Sequence, residues 1–250
     1  MKVSDKLSVW GALLFSGLPA TAANILWTTS PAVNTTEVNN TGLGQWAYAF
    51  NSTLTGNVTV NGVTFTYLNT GGAGGPMADA NLLTPGFQRF GTTSYGEASD
   101  AFYLGPNTQL NQILDGLTWG GNNQFQLNGL TPGTSYIVQL FSSDDRATQV
   151  NRVLDIDSSW STPNGSRQLE NIDYTAGGAW TDPAGRQKIF TGTFTASGPT
   201  QEIQTLIDDG NNGQIDLNAI QLRIVPEPAA GSCLFGAAGI LGIWRRRKPG

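Results

Sequence analysis

Val58-Thr59-Val60-Asn61-Gly62-Val63-Thr64-Phe65-Thr66-Tyr67 sets two alternating apolar and polar runs on either side of Asn-Gly. Successive side chains of a strand point to opposite faces, so each run presents one apolar and one polar side. Asn-Gly supplies the two positive-φ residues of a type I′ turn, whose twist matches that of the strands it joins. This stretch is therefore expected to fold as a β-hairpin. The pattern recurs along the chain. Gln45-Trp46-Ala47-Tyr48-Ala49-Phe50 alternates, and further strands are expected at 124–127, 135–141, 152–156, 188–195, 202–207 and 215–224. Between them lie loops rich in Gly, Pro, Asn and Ser, including Gly71-Gly72-Ala73-Gly74-Gly75-Pro76. A period near 3.6 is weak throughout, and only 107–116 fits a short helical turn. Many short strands with turn punctuation predict an all-β fold, a β-sandwich of the jelly-roll type.

Two segments sharpen that expectation. Leu127-Asn128-Gly129-Leu130-Thr131-Pro132-Gly133-Thr134-Ser135-Tyr136-Ile137-Val138 resembles the L-x-G-L-x-P-G-x-x-Y-x-V segment of fibronectin type III and related sandwiches, carbohydrate-binding jelly rolls among them. The resemblance implies that the Tyr136 hydroxyl bonds back to the backbone of its own corner. Asp216-Leu217-Asn218-Ala219-Ile220-Gln221-Leu222-Arg223-Ile224 resembles the last strand of galactose-binding-like and malectin-like domains. A body of about 200 residues suits a single domain larger than a fibronectin module.

The two ends differ from the rest. Lys2 and Lys6 precede a largely apolar stretch from Leu7 to Leu18, and Ala20-Thr21-Ala22 offers a small-x-small cleavage pattern, so residues 1–23 read as a secretory signal helix. At the other end, Pro226-Glu227-Pro228 is followed by the uncharged run from Ala229 to Trp244 and then by Arg245-Arg246-Arg247-Lys248. Pro226 and Pro228 lack N–H donors and disfavour continuation of the preceding strand. As a single hydrophobic helix the apolar run would reach about 24 Å, just short of a hydrocarbon core of about 30 Å, with the basic cluster on the cytoplasmic side.

Motif, apolar run, basic cluster and terminal position together resemble the PEP-CTERM sorting signal of Gram-negative bacteria that make exopolysaccharide. That resemblance implies transient association with the inner membrane and recognition of Pro226, Glu227 and Pro228 by a membrane protease of the exosortase type. The body would then be released to the cell surface or extracellular matrix. A retained membrane anchor is the alternative. The expected organisation is a signal peptide at 1–23, a sandwich domain at 24–225 and a sorting segment at 226–250.

Removing the ends changes the charge. Six of the 13 Lys and Arg lie in them, against two of the 18 Asp and Glu, so the body sits near −9 with Lys188 as its only lysine. A surface of that sign argues against nucleic acid and anionic lipid as partners. The single cysteine, Cys233, falls in the C-terminal apolar run, so the body forms no internal disulfide. Histidine is absent, which removes Ser-His-Asp and Cys-His nucleophile systems and histidine-ligated zinc.

Three groups of residues are candidates for a role. Trp160 and Trp180 sit among small and polar neighbours, with Tyr174 and Arg186 flanking the second, and could stack on the apolar face of a sugar ring. Asp208-Asp209-Gly210-Asn211-Asn212-Gly213-Gln214-Ile215-Asp216 crowds carboxylates and amides as a structural calcium ion would require, with Asp208, Asp209, Asn211 and Asp216 as ligands. The same loop also suits a plain hairpin in an acidic protein, and its spacing departs from that of an EF-hand. Asp144, Asp145, Asp155, Asp157 and Glu170 would be the material for a carboxylate pair in glycoside hydrolysis. The expectation is an exported, non-enzymatic protein of the cell surface or exopolysaccharide matrix, structural or glycan-binding, with polysaccharide as its partner. The alternatives are a secreted carbohydrate-active enzyme and a module that self-assembles through its edge strands.

Overall fold

The computed structural model describes residues 23–51, 56–69, 82–84, 86–90, 94–97, 108–120, 123–143, 153–161, 168–173, 187–207 and 215–226. In chain order the strands are β1 (Leu26–Pro31), β2 (Leu43–Asn51), β3 (Val58–Val60), β4 (Val63–Asn69), β5 (Leu82–Thr84), β6 (Phe87–Phe90) and β7 (Ser94–Glu97). After the helix α1 (Thr108–Asp115) come β8 (Gly116–Gly120), β9 (Asn123–Asn128), β10 (Ser135–Ser143), β11 (Val153–Asp157) and β12 (Leu169–Asp173). The last four are β13 (Gln187–Thr195), β14 (Thr200–Ile207), β15 (Ile215–Leu217) and β16 (Ala219–Ile224).

Among the described residues the larger sheet has seven strands in the order β1-β13-β10-β16-β2-β4-β3, and the smaller has six in the order β12-β11-β14-β9-β6-β5. A third sheet, β15-β8-β7, lies beside them. Alternation decides what lies between the two large sheets. Tyr48 and Phe50 of β2, Tyr136, Val138 and Leu140 of β10, Phe190 and Phe194 of β13, and Ile220 and Leu222 of β16 face inward. They meet Phe125 and Leu127 of β9, Leu154 and Ile156 of β11, and Ile203 of β14 in one buried cluster. The protein is thus an all-β sandwich with a single core between its sheets.

The intervening residues of the larger sheet face the other way, and part of that face is covered as well. Ala47, Ala49, Phe141, Ile189 and Ala219 pack with Val58, Val60, Val63 and Phe65 of the hairpin and with Leu110, Ile113 and Leu114 of α1. The stretch expected to make one helical turn is therefore a helix of eight residues. Its apolar positions at i, i+3 and i+4 lie on one side and dock on the sheet.

The expected hairpin is present. Asn61 has φ 47° and Gly62 φ 77°, both in the left-handed region, and Val58, Thr59 and Val60 pair with Phe65, Thr64 and Val63. Its second strand lies parallel to β2, whereas the other described pairs of this sheet are antiparallel. The expected corner is present too. Thr131 N–H donates to the Tyr136 hydroxyl at 2.9 Å, and the Tyr136 ring is buried and stacked on Phe194 at 5.5 Å. The expected strand over 215–224 is broken at Asn218, where the chain passes from the third sheet to the larger one. Strands β1, β5 to β8 and β12 were not foreseen from the sequence.

Among the described residues no helix is long and apolar enough to cross a membrane. Residues 1–22 and 227–250, which hold nearly all of the expected signal and sorting segments, lie outside the described residues, and only Pro226 of the sorting motif is placed, exposed at the end of the body.

Candidate functional site

The outer face of the smaller sheet carries the polar half of each alternation. On β9, Phe125 and Leu127 enter the core, so Gln124 and Gln126 point out. On β14 Ile203 enters, and Glu202 and Gln204 point out. On β11 Leu154 and Ile156 enter, which turns Asp155 and Asp157 outward. Register then sets these residues side by side, because directly opposed residues share a face. Asp157 lies opposite Gln204, and Gln204 opposite Gln124. Glu202 lies opposite Gln126, and Gln126 opposite Gln88 of β6. The result is two adjoining rows of amides and carboxylates, one on β11, β14 and β9 and the other on β14, β9 and β6.

Trp160 lies against these rows. Its indole N–H is shared between the carbonyls of Phe125 at 3.2 Å and Ile203 at 3.3 Å, two residues directly opposed on β9 and β14. Its backbone N–H donates to Glu202 Oε2 at 3.2 Å. The loop carrying it is tied to the sheet at both ends. Asp157 Oδ1 accepts from Ser159 N–H at 2.8 Å, and its Oδ2 accepts from Gln168 N–H at 3.1 Å. Gln201 donates to the Ser158 carbonyl, and its own side-chain oxygen accepts from Ala23 N–H. Gln168 reaches the Ser158 hydroxyl and the Asn24 side chain.

Exposure divides the roles. Asp155, Asp157 and Gln204 are buried, whereas Trp160, Glu202, Gln124, Gln126 and Gln88 are half-buried. With its N–H held by the backbone, Trp160 can offer a ligand ring surface but no hydrogen bond. The glutamines offer donors and acceptors together, and Glu202 offers acceptors. Such a face suits a flat, hydroxyl-rich ligand. Asp157, closed from solvent and held by two backbone amides, is an anchor for the loop and is not placed to attack a substrate.

Of the residues expected to bind glycan, the structure brings Trp160 to this face. Tyr174, Trp180 and Arg186 lie outside the described residues, as do Asp144 and Asp145. Of the expected calcium ligands, Asp208, Asp209 and Asn211 lie outside them as well, and Asp216 is placed on β15 opposite Trp119. Among the described residues no cluster of three or more carboxylate, thiol or imidazole side chains could hold a metal ion. Sequence reasoning missed Gln124, Gln126, Glu202 and Gln204. Their signal was the polar half of an alternation already used to find the strands, as in Gln124-Phe125-Gln126-Leu127.

No family model matches the chain, and no curated protein matches it. Among solved structures it is similar to the CBM22-1 xylan-binding domain of Xyn10C from Paenibacillus barcinonensis, at 15% identity and a TM-score of 0.33, over 62% of this chain and 98% of that one. It is also similar to a family GH115 4-O-methyl-α-glucuronidase with specificity for decorated arabinogalactans, at 10% identity and a TM-score of 0.33. That match takes in 64% of this chain but only 20% of the glucuronidase. A third likeness is to the K2 cleaved adhesin domain of Lys-gingipain, at 12% identity and a TM-score of 0.27, over 54% of this chain and 82% of that one.

Proposed function

We propose that the chain is an exported, non-enzymatic protein whose sandwich, of the jelly-roll type over residues 24–225, holds a neutral polysaccharide across the outer face of its smaller sheet. The observation that carries this reading is the pair of amide and carboxylate rows on β11, β14, β9 and β6 with Trp160 fixed against them. Sugar hydroxyls would exchange hydrogen bonds with Gln124, Gln126 and Glu202, while the exposed part of the indole would cover a ring face. The acidic character of the body and of this face favours an uncharged polymer over a polyuronate. Export and sorting complete the reading. They are supported by the signal-like residues 1–23 and by the ordered Pro-Glu-Pro, apolar and basic segments at 226–250, with an exosortase-type protease as partner.

Affinity electrophoresis through gels containing neutral polysaccharides, with one polyuronate for comparison, tests the binding site. The expected result is retardation by at least one neutral polymer, insensitive to salt and lost in Trp160→Ala and Gln126→Ala, with circular dichroism unchanged. No retardation by any polymer, or retardation that survives both substitutions, would overturn the assignment.

A further inference from the structure

Sheet edges carry unpaired backbone groups, and proteins blunt them with short strands, charges, prolines or bulges. Among the described residues most edges here are blunted in that way. The strands β3, β5 and β15 have three residues each, β7 ends in Glu97, and β12 contains Glu170 and Asp173 and pairs with a register shift. The strand β1 is blunted only by the proline at its last position. It has six residues, Leu26-Trp27-Thr28-Thr29-Ser30-Pro31, carries no charge, and follows β13 without a shift. Leu26 at its start is 72% exposed, and Thr28 and Thr29 are exposed.

The direction of its backbone groups follows from one bond. Ala32 N–H donates to the Gln187 carbonyl at 3.0 Å, so Ser30, Thr28 and Leu26, at two-residue steps, turn their N–H and C=O groups toward β13. Trp27, Thr29 and Pro31 turn theirs outward. Pro31, which has no N–H, stands at an outward position where no ladder bond is lost. The outward set is self-complementary. With two β1 strands antiparallel and Thr28 opposite Thr28, each Trp27 faces a Thr29, and every outward N–H of these residues meets a carbonyl. Leu26 then lies beside Ser30 of the other strand on the outer face. Placing Thr29 opposite Thr29 would instead set each Trp27 carbonyl against a proline with no hydrogen to give.

We propose that β1 pairs antiparallel with β1 of a second copy about a two-fold axis through Thr28, joining the two larger sheets into one continuous sheet. The interface is isologous and closed, so it makes dimers rather than filaments. Because each body is strongly acidic while the edge is neutral, dimerisation should strengthen with added salt.

Sedimentation of the chain across the micromolar range tests this, alongside Thr29→Pro. That substitution removes an outward N–H and leaves the ladder to β13 intact. The expected result is a wild-type dimer, strengthened by salt, and a Thr29→Pro monomer whose circular dichroism is unchanged and whose melting temperature, unlike that of the wild type, does not depend on concentration. A second measurement does not depend on how proline is tolerated. In a Cys233→Ser background, Thr28→Cys should oxidise to an intermolecular disulfide, because residues facing each other across the axis have close Cβ atoms, whereas Thr29→Cys should not. A monomeric wild type, a dimer that Thr29→Pro leaves intact, or cross-linking at Thr29→Cys in place of Thr28→Cys would overturn the proposal.

Discussion

Asn218, fully buried where the chain changes sheets, joins three parts of the molecule. Its side-chain oxygen accepts from Ser143 N–H at 2.7 Å, and its amide donates to the carbonyls of Leu114 at 2.6 Å and Gly116 at 3.1 Å, capping the end of α1. Helix ends leave such carbonyls without internal partners, and an unmet polar group in the interior is costly. Asn218→Ala is therefore expected to lower unfolding stability by about 2–4 kcal/mol, read as a shift in the urea midpoint. Asn218→Asp should cost at least as much, because a carboxylate would face the two carbonyls. Tyr136→Phe strips the acceptor from an N–H at the more open Thr131, and about 1 kcal/mol is expected there. The two residues also differ in how far the sequence announces them. Tyr136 is legible because its hydrogen-bond partner lies five residues away, inside one local motif. Asn218 is not, because its partners come from strands and a helix that only the finished fold brings together.

At the scale of elements, two glycines separate conformation from packing. Gly62 closes the β3–β4 hairpin at φ 77°, and a Cβ built there meets nothing within 4 Å. Gly62→Ala should thus show backbone strain alone, about 1 kcal/mol. Gly192 lies mid-strand in β13 without a positive φ, yet a Cβ there would come within 2.5 Å of Ile25 and 2.8 Å of the Trp27 ring. Gly192→Ala should cost about 1–3 kcal/mol by overpacking, and adding Trp27→Leu should relieve it only in part, because the contact with Ile25 stays, as a double-mutant cycle would record. The hairpin was legible because its turn chemistry and its alternation agree. The edge strand β1 was hidden because Leu-Trp-Thr-Thr-Ser-Pro does not alternate in polarity, its place being set by pairing with β13 some 160 residues along the chain. The proposed binding face was half legible. Trp160 stood out in loop sequence, while the glutamine rows exist only once register sets β9 against β14.

The molecule as a whole closes before the proposed sorting segment begins. The strand β16 is inserted between β10 and β2. Arg223 donates to the carbonyls of Asn40, Thr41 and Gly42, which fixes the loop leading into β2. The last backbone bond of the body, Val225 N–H to the Ser135 carbonyl at 2.9 Å, falls one residue short of exposed Pro226. Asn24 and Val225 line the same shallow hollow of about 450 Å³, so the two ends of the described body lie together. A cut near Pro226 therefore breaks no described contact between strands. A chain ending at Pro226 is expected to unfold within about 0.5 kcal/mol of the full-length protein in urea, as changes outside packed regions usually do. A larger loss would mean that the C-terminal segment packs on the body. If sorting proceeds as proposed, intact-mass analysis of material from the cell surface should show chains running from near Asn24 to near Pro226. Chains that still carry Trp244 would instead make the apolar run a permanent anchor, and the sandwich a tethered domain.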